Sequence, residues 1–378
     1  MIQIENKQDC CGCGACVQRC PKACITMQAD EQGFLYPVVD ASLCIQCGLC
    51  EKVCPMLHRV EPGRPLSIFA VQGRDEEVRM HSSSGGMFSL LAEKTIDEGG
   101  VVFGARFDDH WNVVHDCAVT KDELAPMRGA KYVQSRTEHT FKIAESLLKK
   151  GRKVLYVGTS CQISGFRNFL RKEYDNLLLV DIVCHGVPSP VVWQAYLRSI
   201  ILPCGPADIK SVSFRNKDFG WSKYSLKIVT QDNNVKFHER AISNTFLKGY
   251  VKDFFLRPSC FNCPAKQHTS GSDLTLADFW GYKGELNDDK GTGLVFVNTQ
   301  KGKSWFDGLD VLYEERTYDE AVKYNPSILH SVSEPKVYHY FWEEFARLGV
   351  AAIDKAITKS KPNLVMRVVG KIKEIIRR

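Results

Sequence analysis

The sequence lacks three features that would assign the protein to large functional classes. No apolar run approaches the roughly eighteen residues that a membrane-spanning helix requires, and the longest runs, such as residues 177–184, suit buried strands. The residues before Cys10 contain neither the basic nor the apolar segment of a signal peptide. No block of lysine and arginine is interleaved with aromatic residues, as is typical of nucleic-acid-binding surfaces. We therefore expect a soluble, cytoplasmic protein with no nucleic-acid partner.

The composition is that of a globular protein with an unusual number of cysteines. With 378 residues, of which 44% are hydrophobic and 25% charged, the chain is long enough for two or three domains with sizeable cores. Its formal net charge of +6 favours acidic partners through electrostatic steering. Sixteen cysteines are many for a reducing compartment, so they require a role beyond packing.

Eight of these cysteines form two copies of one spacing, C-x2-C-x2-C-x3-C, and each copy is followed by proline. The first copy is Cys10, Cys13, Cys16 and Cys20, and the second is Cys44, Cys47, Cys50 and Cys54. Bacterial two-cluster ferredoxins have this spacing, and in them the fourth cysteine of each copy binds the other cluster. We therefore predict two [4Fe–4S] clusters, one held by Cys10, Cys13, Cys16 and Cys54, the other by Cys44, Cys47, Cys50 and Cys20.

Zinc binding and disulfide formation account less well for the doubled spacing. A structural zinc site uses four ligands and would leave the regular third and fourth cysteines of each copy without a role. Disulfides are rare in the reducing compartment that the sequence predicts. Cys11 and Cys24 lie outside the repeat, and we interpret them as packing residues.

The pattern after the cysteine repeat predicts a second, larger domain. Residues 61–65 contain two prolines and a glycine, which indicates a linker. Predicted strands at 153–157 and 177–183 flank a helix, as in a βαβ unit, and each is followed by a cysteine, Cys161 or Cys184. Such a unit places both thiols at the carboxyl edge of a parallel sheet, where ligands bind. Residues 209–239 alternate like short antiparallel strands, and a helix is expected over about 245–255.

A serine- and glycine-rich segment precedes a predicted helix that begins at Met87. Its residues are Ser82, Ser83, Ser84, Gly85 and Gly86. Such residues can cap the free N–H groups of a helix, and they can also let a phosphate approach the positive end of its dipole. Local sequence leaves both interpretations open, although an ordinary cap is the commoner case.

Cys260 and Cys263 form a C-x2-C pair followed by proline. By itself such a pair can bind zinc, be redox-active or have no function. Together with Cys161 and Cys184 it supplies four thiols, enough for one more iron–sulfur cluster. The remaining cysteines, Cys117 and Cys204, are interpreted as buried or incidental thiols.

Several blocks of the sequence, taken together and in this order, resemble one family. These blocks are His81–Gly86, Lys131–Gln134, Gly158–Gln162, Cys184–Pro190, Cys260–Pro264 and Asp278–Gly281. The chain resembles the family of coenzyme F-420 hydrogenase/dehydrogenase beta subunits from about Ile4 to about Ser331, with a ferredoxin module in front. The match indicates which cofactors the protein binds much more specifically than it indicates a substrate.

The resemblance implies a flavin enzyme with FAD beside an extra [4Fe–4S] cluster. By position, Ser82–Gly86 would hold the FAD pyrophosphate, and Lys131 and Tyr132 would bind the cofactor, with the Lys131 cation near the isoalloxazine. Cys161, Cys184, Cys260 and Cys263 would hold the extra cluster. His185 would either relay protons or only hydrogen-bond a sulfur or carbonyl. The family often has proline before the first of these cysteines, where this chain has Ser160.

The predicted fold class is α+β. A bacterial-ferredoxin-like domain (1–60) precedes an α/β flavin-binding domain with a mixed sheet (66–150 and 151–320), and a helical tail follows (321–378). Residues 361–378 form a basic amphipathic pattern that can lie on a membrane, dock a partner or pack on the body.

We expect an iron–sulfur flavoprotein oxidoreductase that passes electrons between FAD and the clusters. Its partner would be a redox protein or a small coenzyme, for which the resemblance suggests coenzyme F-420. The alternatives are an electron-carrier subunit of a larger complex and a ferredoxin-dependent reductase of an organic substrate.

Overall fold

A computed structural model describes residues 1–361, and the predicted basic amphipathic segment lies outside the described residues except for Lys361. The strands are β1 Ile25–Ala29, β2 Leu35–Val39, β3 Ser67–Gly73, β4 Val101–Phe107, β5 Val113–Ala118, β6 Val154–Thr159, β7 Leu177–Ile182, β8 Ile209–Asn216, β9 Ser225–Thr230, β10 Val235–Arg240, β11 Leu274–Asp278, β12 Gly293–Val297 and β13 Val311–Glu315. The helices are α1 Ala15–Arg19, α2 Leu49–Lys52, α3 Glu76–Met80, α4 Met87–Asp97, α5 Lys121–Leu124, α6 Thr140–Lys149, α7 Ser160–Leu170, α8 Pro190–Ile201, α9 Thr245–Val251, α10 Gln300–Asp307, α11 Tyr318–Lys323, α12 Tyr338–Leu348 and α13 Ala351–Lys359.

The cysteine-rich N-terminal region folds as two related halves. Strands β1 and β2 pair antiparallel, and each half carries one short helix, α1 or α2, inside its cysteine repeat. Both helices begin after a glycine in the left-handed conformation, Gly14 with φ 75° and Gly48 with φ 70°. Glycine adopts this conformation without a steric penalty, so the chain can turn sharply between consecutive cysteines.

A mixed eight-stranded sheet forms the centre of the larger region. Its strand order is β13-β3-β12-β11-β7-β6-β4-β5, and the pairs β11/β7, β7/β6 and β6/β4 are parallel. The predicted mixed α+β architecture is therefore confirmed. The parallel strands are almost continuously apolar because helices or loops cover both faces of the sheet.

The βαβ unit consists of β6, α7 and β7, as predicted, with one difference at its first cysteine. Cys161 is the second residue of α7, so it lies in the first turn of a helix and not in a loop. Thr159 and Gln162 form a capping box that starts this helix. Ser160 occupies the first helical position, where proline is also well tolerated, so the departure from the family pattern leaves the backbone unchanged.

A second packing unit joins residues that are distant in sequence. Strands β8, β9 and β10 form the predicted separate antiparallel sheet, in the order β10-β9-β8. The helix predicted over 245–255 ends earlier, at Val251, because Asp253 has a positive φ of 64°. Helices α12 and α13 of the predicted tail pack through Phe341 and Ile353 into the same core as α8, α9 and this sheet. No helix within residues 1–361 is both long and apolar enough to cross a membrane.

Arg257 holds the N-terminal region against the larger region. Its fully buried guanidinium donates to Cys10 O at 2.7 Å, to Leu35 O at 2.9 Å and to Gln134 Oε1 at 2.9 Å. It also lies over the ring of Tyr36, 4.3 Å from the ring centroid, which is close enough for a cation–π interaction. Two regions of the chain are thus joined by one side chain whose donors reach both.

We expect Arg257→Met to destabilise the docking of the N-terminal region. The substitution removes the Arg257 donors of the partly buried Cys10 and Leu35 carbonyls, at a cost of up to about 1–3 kcal/mol each. Arg19→Met is the matched control, because Arg19 also crosses this boundary but its ion pair with Glu145 is partly exposed and contributes about 0–1 kcal/mol. The first transition in urea unfolding of the cluster-loaded protein should shift for Arg257→Met and change little for Arg19→Met; equal shifts would contradict the prediction.

Candidate functional site: three cysteine sets and a cavity

The structure brings together repeat cysteines that the ferredoxin spacing assigns to one group. Burial and the neighbouring Cys10 and Cys54 thiols raise the pKa of Cys16, and burial and the neighbouring Cys10 thiol raise the pKa of Cys54. Cys16 and Cys54 are also among the groups that raise the pKa of Cys13. The other four cysteines, Cys20, Cys44, Cys47 and Cys50, line one small cavity. We call these groups the first set (Cys10, Cys13, Cys16, Cys54) and the second set (Cys20, Cys44, Cys47, Cys50).

The third set consists of Cys161, Cys184, Cys260 and Cys263, which also line one cavity of about 40 Å³. Cys161 and Cys184 come from the carboxyl ends of β6 and β7, and the C-x2-C pair comes from the turn at Pro258–Asn262. Burial raises the pKa of the Cys184 thiol to about 12 and that of the Cys260 thiol well above its ordinary value. Four thiols that are buried together in this way are a suitable donor set for an iron–sulfur cluster, because bound iron stabilises the thiolates.

Cys11 is the residue whose position the sequence analysis missed. It is buried, as expected of a packing residue, but it lines the cavity of the third set. It packs in one buried cluster with Cys13 of the first set, and Cys161 of the third set packs against that cluster. The repeat gave no signal for this role, because Cys11 does not occupy a position of the repeat. Cys24 is similarly close to the second set, with its Sγ 3.4 Å from that of Cys20.

No group of three or more His, Cys, Asp or Glu side chains among residues 1–361 could hold a single metal ion. The cysteines of a cubane cluster bind four different iron atoms, so they surround the cluster and do not converge on one point.

A larger cavity of about 280 Å³ lies next to the third set. The two cavities share Thr159 and the consecutive residues Val183–Val187 as walls, and Cys184 and His185 belong to both. The segment Ser82–Gly86 and the residues Lys131 and Tyr132 also line the larger cavity. The structure thus brings every predicted cofactor-binding residue to one cavity.

The serines of Ser82–Gly86 do not cap the helix that follows them. Ser82 Oγ donates to Val78 O at 2.8 Å, Ser84 Oγ donates to Thr292 O at 2.9 Å, and Ser83 Oγ accepts from Ala130 N at 2.6 Å. In the part of the chain that the structure describes, no side chain caps α4, and Gly86 has a φ of 91° at its N-cap. The N-terminal turn of α4 therefore presents its positive dipole end at the cavity wall, as an anion site requires.

In the structure the Lys131 ammonium group is bound by backbone carbonyls, whereas the resemblance implies a cation that lies near the flavin ring. The Nζ of Lys131 donates to the carbonyls of Met127, Arg128 and Gly129 at 3.0–3.2 Å, so all three of its N–H groups are used. Burial lowers the pKa of Lys131 to about 7. It can contribute charge to the cavity, but it has no donor left for a ligand.

Tyr132 and His185 occupy fixed positions in the cavity wall. The Tyr132 ring stacks on Tyr250 at 4.8 Å, and its hydroxyl accepts from Arg215 Nη1 at 3.2 Å. His185 Nε2 lies 2.6 Å from Asp253 Oδ1, and the His185 ring contacts Tyr250 edge-on. His185 thus has a carboxylate partner, which fixes its ring between the two cavities.

Two further polar residues line the cavity and were not anticipated. Arg215 forms a bidentate ion pair with Asp278, and within residues 1–361 its Nε has no hydrogen-bond partner. His115 Nε2 lies 3.0 Å from Val157 O, and its Nδ1 is likewise unpartnered among the described residues. For Arg215, the sequence indicated only that the residue lies in a predicted strand and not that it lines a cavity. His115 lies on β5, which was not predicted because polar residues interrupt its apolar pattern.

These features fit an anionic cofactor with polar ring atoms. Unsatisfied buried polar groups are uncommon, and two of them line the same cavity as an uncapped helix N-terminus. FAD has a pyrophosphate that suits the helix terminus and a ring with hydrogen-bond donors and acceptors. The residues present therefore fit the flavin that the resemblance implies.

Two family models match this chain. Residues 9–57 match the 4Fe-4S dicluster domain, and residues 151–318 match the C-terminal domain of the coenzyme F420 hydrogenase/dehydrogenase beta subunit. Residues 151–318 are thus similar to the C-terminal domain of these beta subunits. The N-terminal region of the chain is an iron–sulfur domain, and the third set and most of the shared wall of the two cavities lie within the range that matches the C-terminal domain.

Individual relatives are distant. An uncharacterized protein of Methanocaldococcus jannaschii is 24% identical over 46% of this chain, and the match spans only 56% of that relative's length. A subunit of the F420H2 dehydrogenase of Methanosarcina mazei is 20% identical, with 81% of this chain and 84% of that protein covered. A chain of the F420-reducing [NiFe] hydrogenase complex from Methanosarcina barkeri has a TM-score of 0.46 and 17% identity, with 79% of this chain and 92% of that chain covered.

Proposed function

We propose that this protein is an iron–sulfur flavoprotein oxidoreductase with FAD in the larger cavity and a [4Fe–4S] cluster on each of the three cysteine sets. A bound flavin can accept two electrons as a hydride and release them one at a time, which suits a protein with both a ligand cavity and iron–sulfur sites. The small hydride-exchanging partner would be a deazaflavin-type coenzyme. The overall positive charge of this chain favours such an acidic molecule.

The shared wall between the two cavities carries this proposal. Residues Val183–Val187 contact both, so a ring bound in the larger cavity would lie beside the cysteines of the third set. The α4 N-terminus would bind the pyrophosphate, and Lys217 supports this segment by donating to Ser84 O at 2.9 Å. Arg215 is held by Asp278 and adds positive charge to the wall of this cavity.

A second candidate function is that of an electron-carrier subunit that acts only inside a larger complex. The relative from Methanosarcina mazei favours it, because that protein is named as one subunit of a dehydrogenase. In this case the cavity would still bind flavin, but no diffusible donor would reduce the isolated protein. The third alternative, a ferredoxin-dependent reductase of an organic substrate, differs in its electron donor.

Stopped-flow reduction of the FAD-loaded protein distinguishes these functions. We expect reduced deazaflavin coenzyme to bleach the flavin absorbance rapidly, while NADH and NADPH do so slowly or not at all. Bleaching by reduced ferredoxin alone would favour the organic-substrate reductase. Absence of bleaching by any of the four donors would favour the carrier subunit, and failure of the purified protein to bind FAD would contradict all three flavin functions.

A further inference from the structure

The first and third cysteine sets approach each other at Cys11. Cys11 and Cys13 belong to one buried apolar cluster, and Cys161 packs against that cluster. Cys11 also belongs to the wall of the third set's cavity. One buried side chain therefore lies beside members of both sets, although the two sets lie on separate regions of the chain.

Helix α7 carries a residue of the third set and packs closely against the first set. It carries Cys161 in its first turn and Gly165 one turn later, against the first set. A Cβ added at Gly165 would lie 2.7 Å from Cys13 Sγ, which is closer than real Cβ contacts. The helix can approach the cysteine loop only because glycine has no side chain at this position.

Hydrogen bonds from the larger region fix the loop of the first set in this position. Arg257 donates to Cys10 O at 2.7 Å, Gln134 Nε2 to Cys11 O at 3.1 Å and Thr137 Oγ1 to Cys13 O at 2.9 Å. Arg257 is also three residues before Cys260 of the third set. Arg257 therefore holds the backbone at Cys10 of the first set and lies close in sequence to Cys260 of the third set.

The second set faces away from this contact. Its cavity is lined only by residues of the N-terminal region, from Met1 to Cys50. Cys47 is exposed, as are the neighbouring side chains Leu43 and Ile45. The second set adjoins the first through Cys50, because Cys16 and Cys54 pack against the buried cluster that contains Cys50.

We infer that the third set exchanges electrons with the first set and not with the second, with Cys11 as the side chain between them. This inference rests on the proposed function, because it requires a cluster on each set. At each transfer the cluster on one set is oxidised by one electron and its neighbour is reduced by one. The order from the cavity outward is then third set, first set and second set, and the exposed second set exchanges electrons with a one-electron carrier.

Electron paramagnetic resonance of variants with two remaining clusters tests this order, because reduced clusters that lie close together couple magnetically. Cys47→Ala removes a member of the second set and leaves the first and third. Cys16→Ala removes a member of the first set and leaves the second and third. Cys263→Ala leaves the two ferredoxin-type clusters and shows what a coupled pair looks like. Each variant is compared after dithionite reduction of preparations with about eight irons per chain.

We expect the spin coupling to persist in Cys47→Ala and to be lost in Cys16→Ala. Coupling in Cys16→Ala, or its absence from Cys47→Ala, would overturn the inferred order. We also expect Cys11→Ala to retain the full iron content, about twelve per chain. Loss of about four irons from that variant would make Cys11 a ligand and overturn its role as an intervening side chain. A wild-type protein with only about eight irons would instead contradict the third cluster itself, and with it the proposed function.

Discussion

Cys263→Ala should lower the iron content of the reconstituted protein by a third, from about twelve to about eight atoms per chain. Cys263 belongs to the third set, whose four thiols line one cavity. If this set holds the proposed cluster, alanine removes one of its four ligands. The clusters on the first and second sets should remain, because their ligands lie in another region of the chain. Iron and sulfide analysis measures the loss directly.

Cys204→Ala is the matched control for this experiment. Cys204 is also a free and partly buried cysteine of the larger region, but it does not line the cavity of the third set. We expect this variant to keep the wild-type iron content. An unchanged iron content in Cys263→Ala would show that no cluster depends on the third set, and equal losses in both variants would point to a general effect on folding.

The repeated cysteine spacing predicted an iron–sulfur domain in the N-terminal region, and the family model that matches residues 9–57 confirms it. A spacing of this kind fixes which residues can reach one cluster, so local sequence is enough to group Cys54 with the first set and Cys20 with the second. The central βαβ unit was also predictable, because β6 and β7 are short apolar runs, each followed by a cysteine. In both cases the signal lies within a few neighbouring residues.

Contacts between distant segments could not be predicted in this way. Arg257 appears in the sequence as an arginine before proline, and nothing near it indicates that its donors reach Cys10 and Leu35. Arg215 and His115 likewise become cavity residues only because separate strands are brought together by the fold. The sequence also did not indicate that the Nζ of Lys131, expected near the isoalloxazine, donates three hydrogen bonds to backbone carbonyls.

Gly86→Val should strongly weaken FAD binding while the three cysteine sets keep their iron. The expected cause is strain in the backbone of this segment. A Cβ at Gly86 would point towards α3, where Arg79 Cα lies at 3.8 Å. The backbone of Gly86, however, has a φ of 91°, which a β-branched residue adopts only with strain. The segment before α4 should therefore change conformation, and its N–H groups would no longer converge on the pyrophosphate.

Valine at the positive φ of Gly86 costs about 1–3 kcal/mol of backbone strain. If the segment relieves this strain by leaving the conformation that binds FAD, the affinity for FAD falls roughly five- to 150-fold. Gly151→Val provides the matched control, because Gly151 also has a positive φ, 77°, with nothing within 4 Å of an added Cβ, and it does not line the larger cavity. Flavin titration of the apoprotein should show weak binding for Gly86→Val and wild-type binding for Gly151→Val. If Gly86→Val retains wild-type affinity, Ser82–Gly86 does not hold the pyrophosphate; if both variants lose affinity equally, backbone strain anywhere in the fold is the cause and the segment has no special role.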